Sequence, residues 1–234
     1  MNIGGLQKFS LLDYPKELSA IIFTRGCNFR CPYCHNPELV EPSCYSPLID
    51  TEKVLKFLYK RHKKLGAVVI TGGEPTLQED LIPFLKILKA MRFKVKLDTN
   101  GSRPDVLSQV LYAGAVDYIA MDLKAPLALY PSLTQSDVDA NSILRSMEII
   151  RLSGIEYEFR TTFAPEMLSW KSLIELEDLL QPGDKYYLQK CNYSTTLEDL
   201  KGCEFEDYKI TEQIEYRELK DLLHEHRIIF SLRA

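Results

Sequence analysis

Short apolar, β-branched runs alternate with stretches of helical period along this chain, and that alternation restricts the folds open to it. The runs are residues 18–24, 67–71, 94–99, 118–122, 157–162 and 185–189, with a seventh at 227–232 closing the series. Between them lie predicted helices. Residues 50–65 carry Val54, Leu55, Leu58 and Leu65 at helical spacing, and 79–91 carry Leu81, Leu85, Leu88 and Met91. Helices are also predicted at 104–113, 141–153, 169–180 and 211–225. Asp50 and Thr51 make a helix start and Gly66 a stop. Alternating strands and helices imply a parallel sheet with right-handed crossovers. Six repeats fall short of a closed eight-fold barrel, which takes about 250 residues. The predicted fold is therefore α/β, a partial (β/α)6 TIM-type open barrel, with a doubly wound open sheet as the competing architecture. No linker or low-complexity tract interrupts the 234 residues, which read as a single domain, 1–234. The proline-bearing stretches 37–47 and 124–140 read as irregular connections.

The unusual polar and glycine-rich stretches fall at the ends of these runs. Thr24-Arg25-Gly26-Cys27 follows the first, Thr71-Gly72-Gly73-Glu74-Pro75 the second, and Asp98-Thr99-Asn100-Gly101 ends the third. Asp122-Leu123-Lys124 ends the fourth, Arg160-Thr161-Thr162 lies late in the fifth, and Gln189 ends the sixth. Strand C-terminal ends are where parallel α/β folds assemble ligand sites.

The sharpest of these stretches holds three cysteines, Cys27, Cys31 and Cys34, spaced C-x3-C-x2-C with Tyr33 before the last. Iron–sulfur clusters are usually held by four cysteines, so three thiolates would leave one iron open to a ligand. A structural zinc site is the alternative. It needs four ligands, and His35 adjoins Cys34 too closely to be an easy fourth. Cys44, Cys191 and Cys203 read as packing or surface residues.

The other stretches have plainer readings too. Gly72 and Gly73 let a backbone approach a ligand closely, with the carbonyls and the Glu74 carboxylate able to accept from an ammonium. An ordinary strand-to-helix turn would look the same. Asn100-Gly101 is also a turn signal, while Asp98, inside its strand, needs a partner for its carboxylate. Asp122 and Lys124 share strand parity and point the same way, as an ion pair or as a matched pair for a zwitterion. The basic run Lys56, Lys60, Arg61, Lys63 and Lys64 complements the end of a helix. His62, His224 and His226 have no evident partner and read as surface residues.

The formal net charge of −4 gives no nucleic-acid footprint, and no run of eighteen apolar residues predicts a membrane span. No signal peptide is apparent at the start. Three of the six cysteines crowd one loop, unlike a secreted disulfide framework, so the expected location is the reducing cytoplasm.

Taken together, Cys27-x3-Cys31-x2-Cys34 with Tyr33 and Gly72-Gly73-Glu74-Pro75 resemble the radical S-adenosylmethionine (SAM) enzymes. The longer run from Cys27 to Pro37, with Asp122-Leu123-Lys124, resembles their glycyl-radical-enzyme activases. Asp13-Tyr14-Pro15 and the overall length look most like the anaerobic ribonucleoside-triphosphate reductase activating proteins of the pyruvate formate-lyase activase-like type. The resemblance implies that Cys27, Cys31 and Cys34 ligate a 4Fe-4S cluster whose fourth iron chelates S-adenosylmethionine. It implies that the backbone at Gly72, Gly73 and Glu74 binds the amino group and that Lys124 meets the carboxylate. Asp98, Asn100 and Asp122 would lie near the ribose and a monovalent cation, and Tyr33 beside the cofactor. A flavodoxin or ferredoxin would supply the electron, and a partner glycyl radical enzyme, the anaerobic ribonucleotide reductase, would lose a glycine hydrogen. The chain departs from better-known activases around Gln189-Lys190-Cys191, where a histidine present in some is missing. Gln189 is the candidate contact in its place. Small-molecule radical enzymes such as a 7-carboxy-7-deazaguanine synthase share the glycine-rich motif and remain the alternative.

Overall fold

Each of the six predicted runs forms a strand in the computed structural model, which describes residues 1–198 and 208–233. The chain order is β1 (Ile3–Ser10), β2 (Ser19–Thr24), α1 (Pro37–Val40), α2 (Thr51–Arg61), β3 (Ala67–Gly72), α3 (Leu81–Ala90), β4 (Lys94–Thr99), α4 (Pro104–Tyr112) and β5 (Tyr118–Asp122). It continues with α5 (Tyr130–Thr134), α6 (Ala140–Leu152), β6 (Glu156–Phe163), α7 (Trp170–Glu175), β7 (Lys185–Lys190), α8 (Ile214–Glu225) and β8 (Ile229–Arg233). The strands form one sheet in the order β1 to β8. β2 to β8 run parallel, β1 is antiparallel to β2, and no pairing joins β8 to β1. The barrel is open.

Strand parity separates two environments. Ala20 and Ile22, Val68 and Ile70, Val95 and Leu97, Ile119 and Met121 belong to the main core formed with the helices. A fully buried Ile or Leu of this kind contributes roughly 1.5–3 kcal/mol. The alternate positions Ile21, Ala67, Val69 and Tyr118 form a separate small cluster with Tyr14. From β4 onward this second face is charged: Lys96, Asp98, Asp122, Glu158 and Arg160 all fall on it. Helix starts follow familiar chemistry. The Asp50 carboxylate accepts from the amides of Glu52 and Lys53 and caps α2.

Several expectations are corrected. β1 carries Gly4 and Gly5 and exposes Gln7, Lys8 and Phe9, so it lacks the pattern of a buried strand, and it sits at the sheet edge. β8 forms from the run expected at 227–232, and with the unexpected β1 the sheet has eight strands among the described residues, β2 to β8 parallel. α2 ends at Arg61, not at residue 65. The chain then turns so that the amides of Gly66 and Ala67 reach the Leu18 carbonyl. Stretch 37–47 contains α1, whose Leu39 and Val40 are buried, and 124–140 contains α5. The helix expected at 169–180 is α7 followed by a tighter 3-10 turn, Leu176–Leu179. His62 contacts the Tyr59 carbonyl through Nδ1 and His226 pairs with Glu177, so neither lacks a partner. Cys44 is exposed and Cys191 buried, while Cys203 lies outside the described residues.

Candidate active site

A cavity of about 340 Å³ opens at the C-terminal ends of the strands. Cys27, Cys31, Cys34 and Tyr33 line one side, Gly72, Gly73 and Glu74 a second, and Asp98, Asn100, Asp122, Lys124 and Gln189 the rest. Every residue singled out in the sequence as a site candidate therefore borders one space. Arg160, His35 and Asp13 border it as well.

The cysteine loop is held from several sides. The Arg30 amide donates to the Thr134 carbonyl at 2.7 Å, and the Glu198 amide to the Pro32 carbonyl at 3.0 Å. The Asn192 amide donates to His35 Nε2 at 3.0 Å, with Cys191 Sγ 3.6 Å from the same nitrogen. Asn28 Oδ1 accepts from Asn100 Nδ2 at 3.0 Å, and Asn28 Nδ2 donates to Ser102 at 2.9 Å. Burial pushes the Cys27 thiol up to about 12 and Cys31 up to about 11, and raises Cys34 as well. Without a metal they are neutral, and binding one releases their protons. Among the described residues, no three His, Cys, Asp or Glu side chains converge closely enough to hold a single metal ion, these cysteines included.

The glycine turn is built from close backbone approach. Gly72 has φ +113°, and the Gly73 and Glu74 amides donate to the Thr24 and Gly26 carbonyls, both at 2.8 Å. The Glu74 carboxylate is fully buried. Its Oε1 accepts from the Thr76 amide at 3.0 Å and the Thr99 hydroxyl at 2.8 Å, and its Oε2 from the Asn100 amide at 2.7 Å. Burial raises this carboxyl and those donors pull it back. The carboxylate is thus committed to tying the β3 and β4 loops together, not to an ammonium, as the sequence had suggested. The Asn100 side chain is likewise engaged: Oδ1 accepts from the Ser102 amide at 2.9 Å while Nδ2 holds Asn28.

Below the cavity lies an ionic floor centred on Arg160, which register places opposite Asp122. Arg160 Nη2 lies 2.8 Å from Asp122 and its Nη1 3.2 Å from Asp98. Lys124 pairs with the other Asp122 oxygen at 3.0 Å. Deeper, Arg233 makes two 2.8 Å hydrogen bonds to Glu158, which also accepts from Tyr118 and lies 3.7 Å from Lys96. Lys96 donates to the Asp13 carbonyl at 2.8 Å. Burial would strip the Lys124 proton, but Asp122 and other neighbours hold the ammonium charged. Arg160 is marked in the sequence only as part of the polar stretch late in the fifth run, with no role given, and Glu158, Lys96 and Arg233 are not among its candidates. The available signal was parity, since Glu158 and Arg160 alternate in phase as Lys96 and Asp98 do.

Burial also works against ionised Asp122 and Glu158, yet the neighbouring cations win and hold both carboxyls at about 2. For carboxyls depressed on folding, the stabilisation is complete above the unfolded carboxylate range and lost as pH falls through the folded value. The thermal midpoint should therefore be flat from neutral pH to about pH 5 and fall progressively toward pH 2. Glu158→Gln should lower the midpoint at pH 7 and flatten the acid limb. An unchanged limb in circular-dichroism melts would refute the assignment.

The sequence profile of the radical SAM superfamily matches residues 21–179, spanning the cysteines, the glycine turn and Arg160. A Methanocaldococcus jannaschii protein named as a glycyl-radical enzyme activating enzyme is 31% identical over 223 residues, covering 93% of this chain and 89% of its own. The pyruvate formate-lyase-activating enzyme of Clostridium pasteurianum is 31% identical over 126 residues, 52% of each chain. Among solved structures, Streptococcus suis SuiB bound to S-adenosylmethionine superposes with a TM-score of 0.62 at 15% identity, a likeness of fold. That match covers 89% of this chain, which spans about half the length of SuiB (48%). With two thirds of its length inside the family profile and its motifs gathered at one cavity, the chain belongs to the radical SAM superfamily of enzymes.

Proposed function

We propose that this protein activates a glycyl radical enzyme, with the anaerobic ribonucleoside-triphosphate reductase as its partner. The family implies a 4Fe-4S cluster and S-adenosylmethionine, and the cavity's donors fit both. Cys27, Cys31 and Cys34 would hold three irons. The Gly73 and Glu74 amides and the Glu74 carbonyl are engaged within the protein, so the Gly72 and Gly73 carbonyls are the acceptors for the ligand's ammonium in this reading. Lys124 has one ion-pair partner and further N–H groups for a carboxylate. Asp98 and Asp122 keep acceptor capacity for ribose hydroxyls, since each carboxylate offers about four acceptor sites. The Tyr33 hydroxyl is buried on the cavity wall without a hydrogen-bond partner, as expected of a group that meets a ligand. When bound, the cluster would supply the one electron for cleaving the sulfonium to methionine and a 5′-deoxyadenosyl radical able to take a glycine hydrogen. The protein's part is to orient the ligand, exclude water and hold the charges that face it.

The observation that carries an external polypeptide substrate is the floor. The cavity is at the low end of ordinary ligand pockets, which run about 300–1,000 Å³. Beneath it, among the described residues, the barrel interior is occupied by the buried Lys96, Glu158, Tyr118 and Arg233 network. A glycine-bearing loop would enter from the cavity mouth. Anaerobically reconstituted protein, S-adenosylmethionine, the reductase and reduced flavodoxin or ferredoxin should together yield a glycyl radical doublet in electron paramagnetic resonance. Cleavage of the ligand with no such signal, and turnover of a small molecule instead, would reject the activase reading.

A further inference from the structure

The resemblance implies a monovalent cation beside Asp98 and Asp122, but three of this pair's four oxygens already accept hydrogen bonds from side-chain cations, and the fourth, Asp98 Oδ1, has an ionic neighbour though no hydrogen bond. Asp98 Oδ1 lies 3.4 Å from Lys96 Nζ, and Asp98 Oδ2 lies 3.2 Å from Arg160 Nη1. Asp122 Oδ1 accepts from Arg160 Nε at 2.9 Å and lies 2.8 Å from Nη2. Asp122 Oδ2 accepts from Lys124 at 3.0 Å. The guanidinium therefore spans the two carboxylates, which come from different strands. The β5–β6 register fixes it there, and the Leu123 amide bonds the Arg160 carbonyl at 2.7 Å from the same position. Its side chain is nearly buried and its charge cannot be lost. A sodium or potassium ion would have to displace a forked, charge-assisted contact, the stronger kind of hydrogen bond.

We propose that Arg160 is a built-in cation that neutralises and aligns Asp98 and Asp122, and that this site takes no exchangeable monovalent metal. Arg160 is a positioning residue here. Its effect on the bound ligand rests on reading the cavity as the S-adenosylmethionine site, whereas its effect on the apoprotein does not.

The first test is the thermal midpoint of the apoprotein in sodium, potassium or choline chloride at equal ionic strength. A ligand that binds only the folded state raises that midpoint. Wild type should melt alike in all three salts. Arg160→Met, which leaves the two carboxylates facing each other, should melt lower in choline and be restored by several degrees in sodium or potassium. A wild-type midpoint that rises with either metal ion overturns the proposal, and so does a folded Arg160→Met protein indifferent to the cation. If that variant does not fold, the wild-type comparison still decides. The second test is calorimetric titration of the reconstituted protein with S-adenosylmethionine. Affinity should agree within about twofold across the three salts, and a loss of about tenfold or more in choline would overturn the proposal. Absence of binding in every salt would defeat the proposed function instead, with the melts still judging Arg160.

Discussion

A Cys31→Ala protein should fold, yet lose S-adenosylmethionine cleavage by at least about a thousandfold, roughly 4 kcal/mol of barrier. Cys31 is buried in the main core beside Phe29 and Tyr33. An alanine methyl leaves only the space of one sulfur, and a deletion of that size in a core costs roughly 1 kcal/mol. The chemical loss is far larger. With two thiolates left, the cluster would have two open irons and no fixed orientation toward the glycine turn. Iron and acid-labile sulfide analysis should show a depleted or labile cluster, while far-ultraviolet circular dichroism stays close to wild type. Cys44→Ala, at an exposed position, should change neither. Wild-type cleavage by Cys31→Ala would refute its role as a ligand.

The second large effect is expected from Gly73→Ala. An added Cβ would lie 2.0 Å from the Gly26 carbonyl oxygen and 2.6 Å from its carbon. Both atoms are backbone, so no side-chain rotation relieves the clash. The same Gly26 oxygen accepts from the Glu74 amide, and Cys27 follows directly. Forcing the two loops apart would break that bond and shift the first cysteine. The expected destabilisation is roughly 3 kcal/mol, the upper range for overpacking, with ligand affinity reduced on the order of tenfold to a hundredfold. Gly114→Ala is the control. Its φ of +57° strains an alanine, but nothing lies within 4 Å, so the cost should be about 1–2 kcal/mol with affinity unchanged. Urea unfolding and calorimetry read both quantities. A Gly73→Ala protein that binds S-adenosylmethionine like wild type would show that the turn does not shape the site.

The parts of this protein legible in its sequence are those set by local pattern. β4 and β5 read correctly because Val95, Leu97, Ile119 and Met121 keep one face apolar. Asp98 and Asp122 stood out because a carboxylate inside an apolar strand needs a counter-charge. What escaped depends on which strands and loops become neighbours. Arg160 becomes the hub of the floor only through the register of β6 against β5. The Glu74 carboxylate looked available for a ligand because its donors, Thr99 and Asn100, belong to the next strand and its loop. His35 drew notice only as a possible zinc ligand, since its partner Asn192 is 157 residues away. β1 was missed because paired glycines and an exposed edge blur the apolar alternation that marks buried strands.

The partners of the cysteine loop have a bearing on biogenesis. The three thiols, at residues 27–34, are synthesised before several of the groups that hold their loop. The groups that fix their loop, at Thr134, Asn192 and Glu198, are synthesised far later. Contacts over such separations form only once the intervening polymer has collapsed into order. A nascent chain released before β7 would carry all three sulfurs without the Asn192 and Glu198 contacts that hold their loop in the finished sheet.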